Sequence, residues 1–569
     1  MSVAYAGGVQ AINPAYNQNI HYFESTRRNE EGFKFVVDIN SGTTNICRLR
    51  YFPRPNDGLG EFDVRGIIKN KVSTYISNTL NSVAINENNI FRYTFDVGEE
   101  YVKYWAFTGM YASTANTLSI SASTDTHPYL VGEQITIAAD TGFTIYDGLA
   151  TITSVADNKT ITTNIPFTSA SAVTGTTVYF DHRKTYYPSY SAGDAFRVFK
   201  GAIPQREFMS YDYEEYYLKI FSTTNKMLTT VSDYYPVKMT NKMYLNSLVS
   251  PTLIGSRNIG YTIKTKFGWY TDIFPTGSTL DPVSFIGACG PYNIENNTNF
   301  TPDDGANFVN STLPVLKNKT LNVLLIETAG TGPIYNSINL TIASGHSFAE
   351  GEFVDIKNAT LVVDGITNII GTGATTIEIS LPFILLSPVS FIPTNCTVNQ
   401  IVDEYSVSIY GIDDGESFTK EYNFVLDKTC QKFENIQLLF VDRMSSMIPV
   451  NFELQSYKTI NITRSQFRKD YGTYTKDDGF YYDSFERGNT QFNVVEVEQL
   501  VLNTNWLREV DAAFLRELFT SPEVYIVEND KLYPVILKTD SLAIFTKNNK
   551  SNIQYQLTIE YANNNPING

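Results

Sequence analysis

The sequence of 569 residues contains few cysteines, and they are scattered. Cys47, Cys289, Cys396 and Cys430 form no CxxC pair and have no histidine close in sequence. This spacing encodes neither a disulfide framework nor a zinc site, so we expect no metal site and no cofactor. Assembly in a reducing cytoplasm fits this cysteine content best.

Basic residues are scarce relative to acidic ones. The chain has 43 Lys and Arg against 59 Asp and Glu, which gives a formal net charge of −16 at pH 7. A surface this acidic repels phosphate, and we therefore expect no sequence-specific binding of nucleic acid. The same charge is compatible with a passage that DNA crosses without adhering.

Long hydrophobic runs are absent. The longest, residues 381–392 (LPFILLSPVSFI), is too short to cross about 30 Å of hydrocarbon and contains two prolines. Residues 1–10 lack the basic and apolar regions of a Sec signal peptide. We therefore expect no insertion into a membrane.

What the chain does have is aromatic and β-branched residues in short alternating runs. Aromatic residues make up 14% of the sequence and charged residues only 18%. Alternation with a period of two, as in residues 33–37, 261–265 and 405–410, is typical of half-buried antiparallel strands. We predict a mainly β fold, a multi-domain antiparallel β scaffold.

One segment near the C-terminus departs from the strand pattern. Residues 505–519 place Leu507, Val510, Phe514 and Leu518 on one helical face, and a Ser-Pro pair follows. This spacing predicts one C-terminal helix that packs its apolar face against the C-terminal sheet. Residues 67–80 are a weaker candidate for a second helix.

The strongest internal signal is a repeat. Residues 127–137 (HPYLVGEQITI) align with residues 346–356 (HSFAEGEFVDI), and Ile165-Pro-Phe167 aligns with Leu381-Pro-Phe383 near the end of the match. We interpret the two stretches as copies of one small β module, each inserted into the scaffold. The predicted domains are residues 1–116 (N-terminal part of the scaffold), 117–182 (module, copy 1), 183–337 (central scaffold), 338–395 (module, copy 2) and 396–569 (C-terminal β domain with the helix).

The repeat places His127 and His346 at equivalent positions. A metal or catalytic role would need further ligands, and no carboxylate or histidine recurs beside both. We interpret them as turn histidines that hydrogen-bond to the local backbone. Glu133 and Glu352, also shared, are interpreted as solvated residues at strand edges.

The search for catalytic motifs returns nothing specific. The Asp-Asp-Gly triplets at 303–305, 413–415 and 477–479 lack the spacing of a calcium-binding loop and are interpreted as turns. Paired carboxylates could serve a glycosidase, but sequence cannot place them across a sugar. Nucleophile elbows, phosphate-binding loops and HExxH motifs are absent from the sequence. We therefore assign no catalytic, cofactor-binding or metal residue and expect no enzyme activity.

Two aromatic clusters remain, at residues 211–217 (YDYEEYY) and 480–485 (FYYDSF). Their side chains could stack on sugars, anchor an interface between subunits, or simply pack within strands. For an interface the candidates are Tyr213, Tyr217, Tyr481 and Tyr482.

The C-terminal part resembles tail and neck proteins of tailed phages that infect Bacteroidota, the crAss-like phages. The likeness is carried by residues 433–443 (FENIQLLFVDR), 449–454 (PVNFEL) and 464–468 (RSQFR), and by a second set between 502 and 557. Residues 441–446 lack the Gly-Gly turn of the resembling pattern, so we expect a turn of different shape there.

The resemblance implies a structural virion component, a tail hub, ring or baseplate-type subunit. Such a protein would assemble with copies of itself and with other tail proteins, including tail fibres, in the host cytoplasm, and would support host attachment and genome delivery. Two alternatives stay open: a receptor-binding tail fibre or adhesin that recognises surface glycans, and a polysaccharide depolymerase with a carboxylate pair in a groove.

Overall fold

The structure is a computed structural model of the chain. It describes residues 3–112, 117–121, 130–138, 148–157, 160–166, 173–191, 195–266, 268–278, 280–297, 319–329, 335–343, 346, 348–359, 365–385, 389–428, 432–505, 513–539 and 554–563. Strands dominate these residues, as the alternating pattern predicts, and the helices are short. None of the helices in the described ranges is long and apolar enough to span a membrane.

The first fourteen strands reach residue 199. They are β1 (Val3–Gly8), β2 (Ile12–Pro14), β3 (Ile20–Ser25), β4 (Lys34–Ser41), β5 (Thr44–Tyr51), β6 (Gly60–Asp63), β7 (Ala84–Ile85), β8 (Ile90–Ala112), β9 (Thr117–Ser121), β10 (Gln134–Ala138), β11 (Gly148–Asp157), β12 (Thr160–Pro166), β13 (Val173–Ser191) and β14 (Phe196–Phe199).

The remaining strands follow up to residue 561. They are β15 (Tyr217–Leu218), β16 (Tyr235–Val237), β17 (Tyr244–Val249), β18 (Ile259–Thr265), β19 (Gly268–Ile273), β20 (Val283–Ala288), β21 (Lys319–Thr328), β22 (Tyr335–Ile342), β23 (Phe353–Lys357), β24 (Gly365–Thr372), β25 (Thr376–Leu385), β26 (Ser390–Phe391), β27 (Thr397–Gln400), β28 (Glu404–Gly411), β29 (Glu416–Ser417), β30 (Tyr422–Leu426), β31 (Ile436–Val441), β32 (Met447–Phe452), β33 (Tyr457–Arg468), β34 (Thr473–Thr475), β35 (Gly479–Tyr481), β36 (Asn489–Asn503), β37 (Val524–Glu528), β38 (Lys531–Leu537) and β39 (Gln556–Tyr561).

The α-helices are brief connections between strands, with one exception near the C-terminus. They are α1 (Arg65–Ile68), α2 (Gln205–Phe208), α3 (Pro251–Ser256), α4 (Pro291–Glu295) and α5 (Ala513–Thr520). The weaker helix candidate, residues 67–80, is wrong beyond Lys71, because Val72 is already extended and the chain runs on without helix. The β-branched residues of that stretch, such as Val72 and Thr74, favour extended backbone.

The chain divides into two compact units. Unit 1 comprises residues 1–72 and 90–199, and unit 2 comprises residues 73–89 and 200–569. These boundaries follow contacts, whereas the sequence-based domains follow the repeat, so the two divisions cut the chain at different residues.

Within unit 1, six strands close into a barrel. The order is β8-β9-β12-β11-β10-β13, every neighbouring pair is antiparallel, and β13 pairs back onto β8. The N-terminal part of β8 also pairs with β4 and β14. A separate three-stranded sheet, β1-β3-β6, completes the unit's sheets among the described residues.

Unit 2 contains a barrel of the same construction. The order is β21-β22-β25-β24-β23-β27, again antiparallel throughout, with β27 closing onto β21. Strand for strand, β8 to β13 correspond to β21 to β25 and β27. The predicted intervals 117–182 and 338–395 hold the inner strands. Strands β8, β21 and β27, which help to close the barrels, lie wholly outside those intervals, and β13 continues beyond residue 182.

The hydrogen bonds at the start of each module match in detail. The amide of Gly132 donates to the carbonyl of Ile152 at 2.8 Å, and the amide of Gly351 donates to that of Ile369 at 2.8 Å. The two glycines have φ of +89° and +90°, a conformation that other residues rarely adopt. The repeat identified in the sequence therefore corresponds to one repeated strand order.

The rest of unit 2 is a pair of facing sheets. The larger has the order β33-β36-β39-β38-β37-β31-β32-β17-β20-β7, with β15 beside β17, and the smaller has the order β16-β30-β28-β18-β19, with β29 beside β28. Their inner faces share one apolar core, in which Leu438 and Phe285 of the larger sheet meet Val407 and Phe424 of the smaller. Pairing is antiparallel except for the short pairs β15·β17 and β16·β30, and for β2·β14 in unit 1.

Helix α5 packs into this core, as its periodicity predicts. Leu515 and Leu518 are buried there, while Phe514 is half-buried with its ring 5.9 Å from that of Tyr235. Leu507 and Val510 of the predicted face lie outside the described residues. The fully buried positions are thus Leu515 and Leu518, and Phe514 lies at the margin of the face.

Candidate interaction surface

A two-stranded ribbon, which we call the arm (residues 457–498), extends the larger sheet at one end. Strand β36 joins the sheet through β39 only at Gln499–Asn503, and from Glu498 to Asn489 it pairs with β33 alone among the described residues. At about 3.3 Å per residue this stretch is about 30 Å long. An isolated two-stranded ribbon is marginally stable in water, so the arm lacks the support that the other strands have.

In the arm, the side chains of β33 are exposed on both faces, whereas residues 494–498 of β36 are half-buried. Every residue of β33 is exposed except half-buried Ser465. The exposed large apolar side chains of the arm are Tyr457, Ile460, Ile462, Phe467, Tyr471, Tyr474, Phe480, Tyr481, Tyr482, Phe485 and Phe492. No other described stretch of similar length exposes as many, and such a concentration is typical of a surface that binds another molecule.

The tip of the arm has an ordered arrangement of its own. Strands β34 and β35 form a short hairpin, and the ring of Tyr471 meets those of Phe480 and Tyr482 edge-on at 6.2 and 5.6 Å. Glu486 accepts a hydrogen bond from the amide of Gly472 at 2.7 Å. Tyr481 donates to Asp483, and this bond raises the pKa of the tyrosine. Local contacts within the arm therefore hold the aromatic platform.

The two aromatic clusters of the sequence have different environments. Tyr481 and Tyr482 are more than half exposed, as an interface role requires. Tyr217 is only 8% exposed, and its hydroxyl donates to Asp281 within unit 2. Tyr213 is half-buried, with the ammonium group of Lys219 5.8 Å from its ring centre. Tyr217 is therefore a core residue, and its proposed place at an interface is wrong.

The hairpin that precedes the arm is buried, and its turn is organised by Asp442. This carboxylate accepts hydrogen bonds from the amides of Thr230 at 2.7 Å, Met444 at 2.9 Å and Ser446 at 2.8 Å. The hydroxyl groups of Thr229 and Thr230 add bonds of 3.1 and 3.2 Å. Burial raises the pKa of Asp442 to about 7, against the lowering effect of the backbone donors.

Ser445 and Ser446 stand where the resembling pattern has Gly-Gly. Ser445 has φ of +79°, in the left-handed region that favours glycine. Ser445 therefore has a glycine-type conformation although the residue is not glycine.

Ion pairs fix the same turn to its neighbours. Arg443 pairs with Glu517 of α5 at 2.6 Å and with Glu207 of α2 at 3.0 Å. Burial raises the pKa of Glu517, and Arg443 partly offsets the rise. These charges hold elements of unit 2 together, which is a structural use of side chains that could otherwise suggest chemistry.

His346 hydrogen-bonds to the nearby backbone. Its Nδ1 accepts from the amide of Phe348 at 3.2 Å, and its Nε2 lies 3.1 Å from the carbonyl oxygen of Thr376. This is the geometry of a turn histidine. His127 lies outside the described residues.

The shared glutamates also support turns. The Oε2 atom of Glu133 accepts from the amide of Leu130 at 3.0 Å, and that of Glu352 accepts from the amide of Ala349 at 3.4 Å. Glu352 additionally pairs with Lys266 at 3.3 Å. Their equivalence in the repeat reflects a common turn.

The Asp-Asp-Gly triplets that the structure describes are turns. Gly415 and Gly479 have φ of +69° and +74°, each at a hairpin connection. Asp413 accepts from the amide of Asn258 at 3.0 Å, and Asp414 pairs with Arg257. The triplet at 303–305 lies outside the described residues.

Cysteines 47, 289 and 396 are free thiols, and Cys430 lies outside the described residues. Burial raises the pKa of Cys47 and, more strongly, that of Cys289. Within the described ranges no three His, Cys, Asp or Glu side chains come together as a metal site would require.

One histidine that the sequence analysis did not single out lies in the core of unit 1. His21 is fully buried among the rings of Phe62, Phe95 and Phe196, and its Nε2 lies 2.9 Å from the hydroxyl of Tyr93. Burial lowers its pKa to about 3, so the ring is neutral at physiological pH. We interpret His21 as a core residue, held by its hydrogen bond to Tyr93 and by its contacts with the three phenylalanine rings.

No known protein family matches the chain, and no curated protein matches it. Among solved structures, the endosialidase of phage phi92 is 11% identical, with 98% of this chain and 69% of that chain covered and a TM-score of 0.15. The native conformation of Escherichia coli alpha-2-macroglobulin is 8% identical, with 98% and 40% covered and a TM-score of 0.12. At these TM-scores neither likeness carries an argument about fold or function.

Proposed function

We propose that the chain is a structural component of a bacteriophage tail, of hub, ring or baseplate type. In this proposal it assembles with copies of itself and with other tail proteins in the host cytoplasm, and it supports host attachment and genome delivery from the virion. The observation that carries the proposal is the arm, which exposes aromatic residues on a ribbon with little support from its own chain. Such a surface suits a protein that is completed by neighbours.

The resemblance to tail and neck proteins of crAss-like phages supports the same role. Residues 464–468, part of that likeness, lie in β33 itself, and the second set spans β36 to β39. The region that resembles tail proteins is therefore the region that bears the arm. The net charge of −16 suits a ring through which ejected DNA passes.

The proposal includes no catalytic step. Two buried carboxylates have structural contacts, Asp442 with the amides of a turn and Glu517 with Arg443. We therefore assign the exposed rings of the tip to contacts between proteins.

Electron cryomicroscopy of tail particles that contain this chain tests the proposal. We expect several copies in a closed ring, with one face of each subunit complementary to a different face of the next. Obligate contacts of this kind commonly bury more than about 2,000 Å². A single copy, a trimeric fibre tip, or a glycan held in a carboxylate-lined groove would contradict the proposal in favour of an adhesin or a depolymerase.

A further inference from the structure

The outer strand of the arm has a charge opposite to that of the whole chain. Residues 457–470 contain four basic residues, Lys458, Arg464, Arg468 and Lys469, against one acidic residue, Asp470. The complete chain carries −16, so the remaining residues are more acidic still. A local basic strip on an acidic protein attracts acidic surfaces and repels other basic surfaces.

Most of this positive charge is not neutralised within the described part of the chain. Lys458 pairs with Glu498 across the ribbon at 2.7 Å. No described carboxylate lies within ion-pairing distance of Arg464 or Arg468, and both side chains are exposed. These two guanidinium groups are therefore available to carboxylates of another molecule.

The backbone of β33 is also open along one edge among the described residues. The strand pairs with β36 along one edge, and no described strand lies along the other. An open edge presents unpaired amide and carbonyl groups that can extend a sheet into a neighbour. Exposed rings at both ends of the strand, Tyr457 and Phe467, would become buried in such a contact.

Two copies of β33 are poor partners for each other. Antiparallel pairing centred on Asn461 would place Lys458 opposite Arg464 twice, and like charges directly opposite destabilise a sheet. A different, acidic surface avoids this repulsion and attracts the basic residues of the strand. Joining unlike surfaces is what closes a ring of identical subunits.

We propose that the outer edge of β33 binds an acidic surface of a second copy of this chain. This inference rests on the proposed multi-copy assembly. In it, the arm supplies the basic residues and the open strand edge of the contact. Because the attraction is between exposed charges, the contact weakens as ionic strength rises.

A mixture of ordinary and ¹⁵N-labelled full-length chain, coupled with a zero-length carbodiimide, tests the inference by mass spectrometry. We expect mixed-isotope cross-links that join Lys469 or Lys458 of one copy to a carboxylate of the other, and fewer of them in 0.5 M salt. Sedimentation velocity should show the same salt dependence.

The charge-reversal variant Arg464→Glu/Arg468→Glu/Lys469→Glu should lose these cross-links and weaken self-association at least tenfold. The matched control, Lys69→Glu/Lys71→Glu/Lys531→Glu, makes the same change of charge at exposed residues outside the arm. It should keep the association. Circular dichroism of both variants confirms that each is folded.

Cross-links between copies that avoid the arm, with unchanged association of the arm variant, would overturn this inference and leave the proposed assembly standing. A chain that stays monomeric at every concentration and forms no cross-links between copies would overturn both. Retention of the wild type, but not the arm variant, on duplex DNA without cross-links between copies would also overturn the inference, because the basic strip would then serve a nucleic acid.

Discussion

Two strand pairs of the larger sheet in unit 2, β31-β32 and β33-β36, follow one another along the chain but have opposite environments. Strands β31 and β32 are buried on both faces, whereas β33 and the distal part of β36 are exposed on both. The smaller sheet and the rest of the core cover the first hairpin, and the arm extends past that cover. Two segments that follow one another along the chain therefore differ in how far their own chain covers them, and in the proposed assembly another copy covers the exposed one.

The largest expected effect is on stability, and it comes from removing the buried turn carboxylate of Asp442 rather than an exposed one. Asp442→Ala leaves the amides of Thr230, Met444 and Ser446 without their acceptor, and unpaired buried donors cost about 1–3 kcal/mol each. We expect a loss of about 3–5 kcal/mol in the free energy of unfolding, measured by urea denaturation. Asp478→Ala, at an exposed turn of the arm, is the control and should change it by less than about 0.5 kcal/mol.

Because the pKa of Asp442 is raised, its contribution to the free energy of unfolding should fall as pH rises, whereas that of a salt-bridged acid rises. Its folded-state pKa of about 7 lies above the unfolded value of about 3.9, so its contribution to stability is complete below pH 4 and is lost as pH rises through 7.

Relative to Asp442→Asn, the wild type should lose on the order of 2–4 kcal/mol between pH 4 and pH 8. Asp272, whose pKa burial raises to about 6, adds a loss in the same direction to both proteins. Urea denaturation at each pH measures the difference. Equal pH profiles for the two proteins would show that Asp442 is ionised throughout this range.

A smaller effect concerns the strained residue of the buried turn. Ser445 has a positive φ, and its Oγ has no hydrogen-bond partner among the described residues. Ser445→Gly should therefore raise the free energy of unfolding by about 0.5–1 kcal/mol.

The adjacent Ser446→Gly is the control and should lower stability. The hydroxyl of Ser446 donates to the carbonyl oxygen of Leu228 at 2.6 Å and accepts from the amide of Asn246 at 2.9 Å. If both substitutions destabilise the protein equally, the turn does not hold the conformation described for Ser445.

The smallest expected effect on stability lies in the arm. Tyr474 and Phe485 are 74% and 78% exposed, so Tyr474→Ser/Phe485→Ser should change the melting temperature of the isolated chain very little. Self-association, measured by sedimentation, should weaken because the rings lose their place at the contact. A large drop in melting temperature would instead indicate that the arm is supported by its own chain.

Sequence reasoning predicted the fold class, the repeat and the C-terminal helix, because each is written in a local pattern. The match between residues 127–137 and 346–356 was enough to indicate one repeated strand order. The strands that close each barrel, β8 and β21, were not assigned to the modules, because barrel closure depends on pairing between residues distant in sequence.

The interaction surface was predicted only in part. Tyr481 and Tyr482 were identified from their aromatic neighbours, but Tyr217 has the same kind of neighbours and is buried. Local composition does not distinguish an aromatic side chain that is buried within its own chain from one that is exposed on the surface. The signal that was available, polar and apolar residues mixed on both faces of residues 457–468, indicates a strand with no covering layer.

Amide hydrogen exchange of β33 tests the central claim most directly, with β24 and β25 of the closed barrel as the internal reference. In dilute chain we expect β33 to exchange rapidly and the barrel strands slowly, and in the assembled state we expect β33 to become protected while the barrel is unchanged. Strong protection of β33 in the dilute monomer, or none in the assembly, would contradict the claim that the arm is completed by another copy.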